Sequence, residues 1–291
     1  MNSEPLVSVV MAVFNGEKYL RAAIDSILQQ TMGNLELIIV DDGSTDRSLA
    51  IARSHQDARI RIIENGRNVG LATSLNKGID AARGAFIARM DCDDVSYPDR
   101  FARQLAALQN DPALDLVAAR AITIDEDDRA IGLFPCAITH EEICARPWLG
   151  FHLPHPTWMG RVEWFRKHRY TIPGPYRSED QELLLRSYRD SRFGALDEIL
   201  FAYRIRRKVD WQKLAKTRRT FFATQWRHFT GLGQWRFELL ATAAFVAKLS
   251  SDLSKRLGAG TFQPGRDIVD HTIVLEWHKI LDDLATRPKV L

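Results

Sequence analysis

Three carboxylates in four residues, Asp91-Cys92-Asp93-Asp94, close the apolar run Phe86-Ile87-Ala88-Arg89-Met90. Unpaired carboxylates are costly to desolvate, so the run predicts a buried strand that emerges into a polar site. On extended backbone Asp91 and Asp93 project to one side, where they suit a hard divalent cation, Mg²⁺ or Mn²⁺, that keeps positions open for phosphate oxygens. The plainer use of such residues is a helix start, with Asp94 or Ser96 capping a helix that begins near Pro98. For Asp94 alone that use is the expectation. Cys92 should turn to the opposite face of the strand and be buried, with no chemistry of its own. Arg89, two residues before Asp91, is placed to pair with one of the aspartates.

A second acidic pair, Asp41-Asp42, ends the apolar run Leu35–Val40, and a polar turn, Asn15-Gly16-Glu17, follows Leu6–Val13. A divalent metal beside such loops suits a nucleotide diphosphate: the metal neutralises the leaving diphosphate while a carboxylate accepts hydrogen bonds from base or ribose. The chain lacks G-x-x-x-x-G-K-[ST], and no G-x-G-x-x-G follows its first strand, which argues against NTPase and dinucleotide sites.

The elements that position these residues alternate. Leu6–Val13, Leu35–Val40, Ile60–Ile63 and the run from Phe86 are strand-like, and amphipathic helical patterns lie between them at 17–30, 45–54 and 71–82, with Ser44 the expected cap of the second. Three β-α repeats and a fourth strand are the signature of a parallel sheet with right-handed crossovers, in which ligands bind at the carboxyl ends of the strands. Asn15, Glu17, Asp41, Asp42, Asn68, Asp91 and Asp93 should therefore face one crevice. A helix over 98–110 and a strand over 114–124 follow, and then the rhythm fades into a short helix over 140–146 and an irregular aromatic and proline-rich stretch over 147–156. Ser178-Glu179-Asp180 opens another helix, where acids are favoured by the dipole, and 196–203 is the last expected strand.

Beyond Tyr203 the composition shifts to Arg and Lys interleaved with Trp and Phe, in helical patterns to about Leu257, a Gly/Pro break over 258–265, and a final helix over 267–284. This tail suits a packing cover for the sheet or an anionic lipid surface, where tryptophan rings sit at headgroup depth. No nucleic-acid module is recognisable, so no such partner is expected. At 291 residues the chain can bury one sizeable core with an appendage, and its net charge of +3 says little by itself. Three cysteines without CxxC spacing, Cys92, Cys136 and Cys144, imply neither a disulfide framework nor a zinc site. The first residues are not basic and no apolar run approaches the ~20 residues of a membrane span, so a soluble or peripheral protein is expected, cytoplasmic or at the inner face of the cytoplasmic membrane.

As a set, Val7–Asn15, Ile39–Asp46, Asn68–Leu71, Arg89–Asp94, His155-Pro156-Thr157 and Glu179-Asp180 resemble the family 2 nucleotide-sugar glycosyltransferases, in particular bacterial enzymes of surface-polysaccharide biosynthesis. The resemblance covers about residues 5–207. It implies an α/β GT-A fold, Rossmann-like, with a mostly parallel sheet flanked by helices. A nucleotide-binding half would span about 1–125, an acceptor half about 126–207, and a helical C-terminal extension 208–291. It also implies inverting transfer from a UDP- or dTDP-sugar to a hydroxyl of a glycan or a lipid-diphosphate-linked acceptor, with Mn²⁺ or Mg²⁺.

Carried over residue by residue, Ala12, Phe14, Asn15 and Glu17 would line the nucleotide pocket together with Asn68 and Gly70. Asp42, with Asp41, would hydrogen-bond the base. Asp91 would approach ribose or donor sugar, with Cys92 beside it, and Asp93 would bind the metal, assisted by Asp91. Asp180 would be the general base that single-displacement inversion requires, with Glu179 and His155 behind it or against the acceptor. Two alternatives are a sugar-1-phosphate nucleotidyltransferase, whose glycine-rich basic loop is missing here, and a catalytically silent nucleotide-sugar-binding subunit, against which Asp91, Asp93 and Asp180 speak.

Overall fold

The computed structural model describes residues 5–257 and 270–286. The chain opens as β1 (Val7–Val13), α1 (Leu20–Leu28), β2 (Leu35–Asp41), α2 (Ser48–Ser54), β3 (Ile60–Glu64), α3 (Leu71–Ala81) and β4 (Phe86–Asp91). These four strands pair in parallel in the order β3-β2-β1-β4, as the β-α repeats require. Alternate residues of each strand serve opposite faces: Val9 and Met11 pack beneath α1, whereas Val10 packs beneath α3. Both faces are covered, so the strands are largely apolar rather than alternating. Helix α3 lies so close to β1 that a Cβ at Gly78 would stand 2.4 Å from Val10 Cγ1.

The second half is mixed. It comprises β5 (Val95–Ser96), α4 (Arg100–Asn110), β6 (Leu116–Ile124), β7 (Ala130–Leu133), α5 (His140–Cys144), a 3₁₀ turn (His155–Thr157), β8 (Met159–Arg161), α6 (Val162–Lys167), α7 (Glu179–Ser187) and β9 (Phe193–Arg204). Strand β8 runs antiparallel between β4 and β6, β9 runs parallel to β6, and β5 and β7 add antiparallel edges. The sheet is thus parallel in its first four strands and mixed beyond them, with most of its paired residues in parallel register, as expected. Two long helices, α8 (Trp211–Gly231) and α9 (Trp235–Arg256), form an antiparallel hairpin, and α10 (His271–Thr286) buries Trp277 against Tyr97 and Asp128.

Several local expectations need correction. Helix α2 starts at Ser48, and Ser44 does not cap it: its Oγ accepts from Asn15 N, while Asp46 Oδ1 takes the Ser48 N–H. Neither Asp94 nor Ser96 caps α4. Asp94 accepts from the Arg204 backbone N–H at 2.7 Å and Ser96 Oγ from Gln30 Nε2, because long-range partners from β9 and from the turn after α1 reach them first. The break over 258–265 and the start of the final helix at 267–269 lie outside the described residues. The cysteines are all free.

Candidate active site

Two loops at the carboxyl ends of β1 and β2 are laced together. Asn15 sits at φ 52°, its N–H donates to Ser44 Oγ and its Oδ1 accepts from Thr45 N at 2.8 Å. Glu17 Oε2 accepts from Arg47 N, the Glu17 N–H donates to Asp46, and Gly16 N donates to Ser48 Oγ at 2.8 Å. Asn15 and Glu17 therefore hold the neighbouring loop in shape. Ala12 is half-buried on β1, and Phe14, 47% exposed, presents an apolar face beside them. The β2 loop can close only on glycine: Gly43 has φ +74°, and a Cβ there would lie 2.4 Å from the Arg67 carbonyl carbon.

The acidic pair that ends β2 is divided in its duties. Asp42 is buried and spends both oxygens on the next loop, Oδ1 accepting from Asn65 Nδ2 and Val69 N and Oδ2 from Gly70 N, all within 2.9 Å. Asp41 accepts from Ser44 N through Oδ2, and its buried Oδ1 has no partner. A buried carboxylate oxygen without a donor is costly unless a ligand supplies one.

The backbone turns directly after Asp91, so Asp93 stands on a turn and not on extended strand. Asp91 Oδ1 is taken by Arg89 Nη2 at 2.5 Å. The Asp93 carboxylate has its own backbone N–H as donor, and burial, then the charge of Asp91, outweighs it and pushes its pKa up to about 6. Arg204 fixes the turn: its Nε donates to Asp93 O and its Nη1 to Asp125 O, both at 2.7 Å, and its guanidinium lies over the Tyr19 ring. Burial and the neighbouring aspartates hold Asp94 well above the carboxylate range, and the same causes raise the Cys92 thiol. Cys92 packs among apolar residues with its Sγ toward Gly16, as expected of a side chain turned from the site.

Arg89 also connects the strand to the far wall. Fully buried, it donates through Nε to His155 Nε2 at 3.2 Å, and Tyr170 Oη lies 2.6 Å from the same nitrogen. An arginine can only donate, so Nε2 is the acceptor and the imidazole proton sits on Nδ1, 4.0 Å from Glu179 Oε1. Burial and the Arg89 charge hold His155 well below its usual pKa, hence neutral. Glu179 and Asp180 open α7. Burial raises both, the Asp180 charge adds to the effect on Glu179, and Gln181 Nε2 donates to Asp180 Oδ2 at 3.2 Å, opposing the shift.

A cavity of about 970 Å³ collects Asn68, Gly70, Asp91, His155, Glu179 and Asp180, and Tyr203 from β9 joins its lining. Thr217, Arg218 and Phe221 of α8 and Lys248 of α9 form its outer wall. Ala12, Phe14, Asn15, Glu17, Asp41, Asp42, Cys92 and Asp93 lie outside this lining, on the adjoining end of the sheet. Tyr170, Gln181, Tyr203 and Lys248 were not foreseen from sequence. The Arg89–Asp91 pair is the one expected from the sequence, whereas the reach of Arg89 to His155 and the Arg204 clamp gave no signal beyond an arginine in or after an apolar run. Among the described residues no three His, Cys, Asp or Glu side chains converge as a metal cluster.

Comparison with known proteins gives the family and the fold. The sequence model of the family described as Glycosyl transferase family 2 matches residues 8–169. EpsE of Bacillus subtilis (strain 168), named as a glycosyltransferase, is 37% identical over 211 residues, 70% of this chain and 74% of that one. The uncharacterized glycosyltransferase MJ1057 of Methanocaldococcus jannaschii is 33% identical over 236 residues, 77% and 81% of the two chains. Among solved structures, S. aureus TarS 1-349 in complex with UDP superposes with a TM-score of 0.61 at 18% identity, over 91% of this chain and 94% of that one. The mannosyltransferase PcManGT from Pyrobaculum calidifontis, in complex with GDP-Man and Mn²⁺, gives 0.58 at 15% identity, over 98% and 88%. The shared fold is the GT-A fold.

Proposed function

The chain belongs to glycosyl transferase family 2, and we propose that it transfers a sugar, with inversion, from a UDP- or dTDP-sugar to a hydroxyl of a glycan or lipid-linked glycan. One observation carries the reading: a single cavity brings Asp91, at the end of the nucleotide-side strand β4, and Asp180, at the start of α7, into one space. A donor held at the carboxyl ends of β1, β2 and β4 would present its anomeric carbon toward α7.

Asp180 is the proposed base. Its carboxylate takes the proton of the acceptor hydroxyl as that oxygen bonds to the anomeric carbon, and the bond to the diphosphate oxygen breaks on the opposite side. Burial raises the Asp180 pKa, which makes its carboxylate a stronger base than a solvated aspartate. Arg89 holds Asp91 in place for ribose or sugar hydroxyls, and neutral His155 steadies the Glu179 side of the pair. Asp41, with its unpartnered oxygen, is the proposed acceptor for the N–H of the base. One free oxygen suits the single imide N–H of uracil or thymine.

The site also fits a divalent cation. Asp93 is a half-buried carboxylate whose pKa is raised by burial and the Asp91 charge in spite of its own backbone N–H, and a cation would offset that cost. Asp93, with Asp91 beside it, would hold Mg²⁺ or Mn²⁺, which supplies neutralisation of charge on the departing diphosphate; substrate oxygens would complete the shell. TarS with UDP and PcManGT with GDP-Man and Mn²⁺ support a metal-bearing nucleotide-sugar donor in this fold. We take 1–207 as the catalytic domain, with its nucleotide half to about 125, and 208–291 as an extension whose helices complete the acceptor wall at the inner membrane face.

The test is thermal stabilisation by UDP, dTDP and their sugars, each with and without Mn²⁺ or Mg²⁺. Metal-dependent stabilisation by one of them, lost in Asp93→Ala, is the expected result. Folded protein that responds to no nucleotide would overturn the donor site. Donor turnover lost in Asp180→Asn with nucleotide stabilisation intact would support the base, and unchanged turnover would remove it.

A further inference from the structure

Helix α9 is apolar on two opposite faces. Its inner face packs: Phe237 against Trp148 and Phe229, Phe245 stacked on Phe222 of α8, Ala241 buried, and Lys248 donating to Leu149 O at 2.9 Å. Its outer face repeats at helical spacing, Trp235, Leu239, Ala243, Val246, Leu253 and Leu257, and the large members of that stripe are 55% to 76% exposed. Eight of the twelve large apolar side chains that stand exposed among the described residues lie between Trp226 and Leu257. Five of them share the outer stripe of α9, which makes a patch and not the usual scatter. An apolar helix face is ordinarily buried, and nothing in the described chain covers the outer one of α9.

The charge around the stripe selects the partner. Residues 211–257 carry nine Lys and Arg against two Asp and Glu, a net +7 in a chain whose total is +3, so the remainder is −4. Of the two acids, Asp252 is buried and paired with Arg218. Lys213, Lys216, Arg219, Arg227, Arg236 and Arg256 stand exposed, and two exposed tryptophans, Trp226 and Trp235, sit directly before Arg227 and Arg236. A second copy would bring +7 against +7. We infer that the outer face of α9 docks on an anionic lipid surface, the helix lying in the plane of the interface with Trp235, Leu239, Val246 and Leu253 in the acyl boundary and the arginines on the phosphates. No described helix is long and apolar enough to cross a membrane. Since Lys248 on the inner face of the same helix lines the cavity, docking would bring the acceptor wall to the lipid surface.

Flotation of the full chain with vesicles tests this without any donor or turnover, so its outcome is separate from that of the glycosyl-transfer reading. Wild type should float with phosphatidylethanolamine–phosphatidylglycerol vesicles, not with phosphatidylcholine alone, and less as salt rises. The triple variant Leu239→Asp, Val246→Asp, Leu253→Asp, confined to exposed positions, should lose binding about tenfold or more with its melting temperature retained. Arg227→Glu with Arg236→Glu, which leaves the stripe intact, should weaken binding to the anionic vesicles. Wild type that does not float, or variants that float equally well, would overturn the proposal. So would a wild-type dimer by light scattering that the triple variant converts to monomer, since the face would then join two copies.

Discussion

Arg89 and Asp91 stand two residues apart on β4, and Arg89 Nη2 reaches Asp91 Oδ1 at 2.5 Å with the guanidinium 1% exposed and the carboxylate 30% exposed. One arginine thereby orients the donor-side acid and, through Nε, the His155 ring on the acceptor side. Removing one partner of a buried ion pair costs about 3–5 kcal/mol, and the part-solvated Asp91 places Arg89→Met near 3 kcal/mol. Urea denaturation should show that loss. Turnover should fall on the order of 10²-fold, since the acid loses its position and not its chemistry. A stable, fully active Arg89→Met would show that the pair organises nothing.

The proposed base gives a pH signature. Burial holds the Asp180 carboxyl above the usual aspartate range, and the Gln181 amide opposes this by donating to the ionised form. The deprotonated form is the active one, so kcat/KM should rise with pH along a limb displaced upward from an ordinary aspartate. Gln181→Leu removes a donor to the anion, so it should move that limb to still higher pH. A limb that stays in place in Gln181→Leu would mean that another group sets it.

Glu36 links four backbone segments of the parallel sheet, accepting from Ser8 Oγ at 2.7 Å and from Arg83 N and Arg61 Nη1 at 2.8 Å. Burial raises its pKa, but these donors outweigh burial and the net shift is downward from 4.5. A carboxyl with a depressed folded-state pKa adds stability above its unfolded value, and that stability is lost as pH falls through the folded value. Glu36→Gln should therefore cost about 1–3 kcal/mol at neutral pH. The gap from wild type should close as the pH drops below the ordinary glutamate range, read by denaturant midpoints across pH.

What was legible in the sequence follows from signal length. Strands β1, β2, β4 and β6 and helices α3 and α4 declare themselves because each carries its own periodicity over six or more residues. Strands β5 and β8, two and three residues long, have no period to detect; they exist because β9 and β6 bring partners to them. Likewise Asp91 and Asp180 stand out as acids at element ends, whereas the Arg89–His155 contact, Tyr170 and Lys248 acquire their places only when segments 66 to 99 residues apart meet. Adjacent acids were the hardest case. Asp41 and Asp42 are identical in type and differ only in which loop reaches them.

That difference yields the last prediction. Asp42 serves three donors, and leaving buried N–H groups without an acceptor costs about 1–3 kcal/mol each. Asp42→Ala should therefore lower the melting temperature markedly and weaken nucleotide binding only by loosening residues 65–70. Asp41→Ala removes one contact to Ser44 N and an oxygen with no partner, so it should leave stability nearly unchanged. Its cost should instead appear as weaker stabilisation by UDP or dTDP, by about 1–3 kcal/mol for a lost hydrogen bond to a charged acceptor. Calorimetric titration of both variants with nucleotide, beside their melting curves, separates the roles. If Asp41→Ala bound nucleotide like wild type, the base would have to find its acceptor elsewhere, and the unpartnered oxygen would have no ligand to account for it.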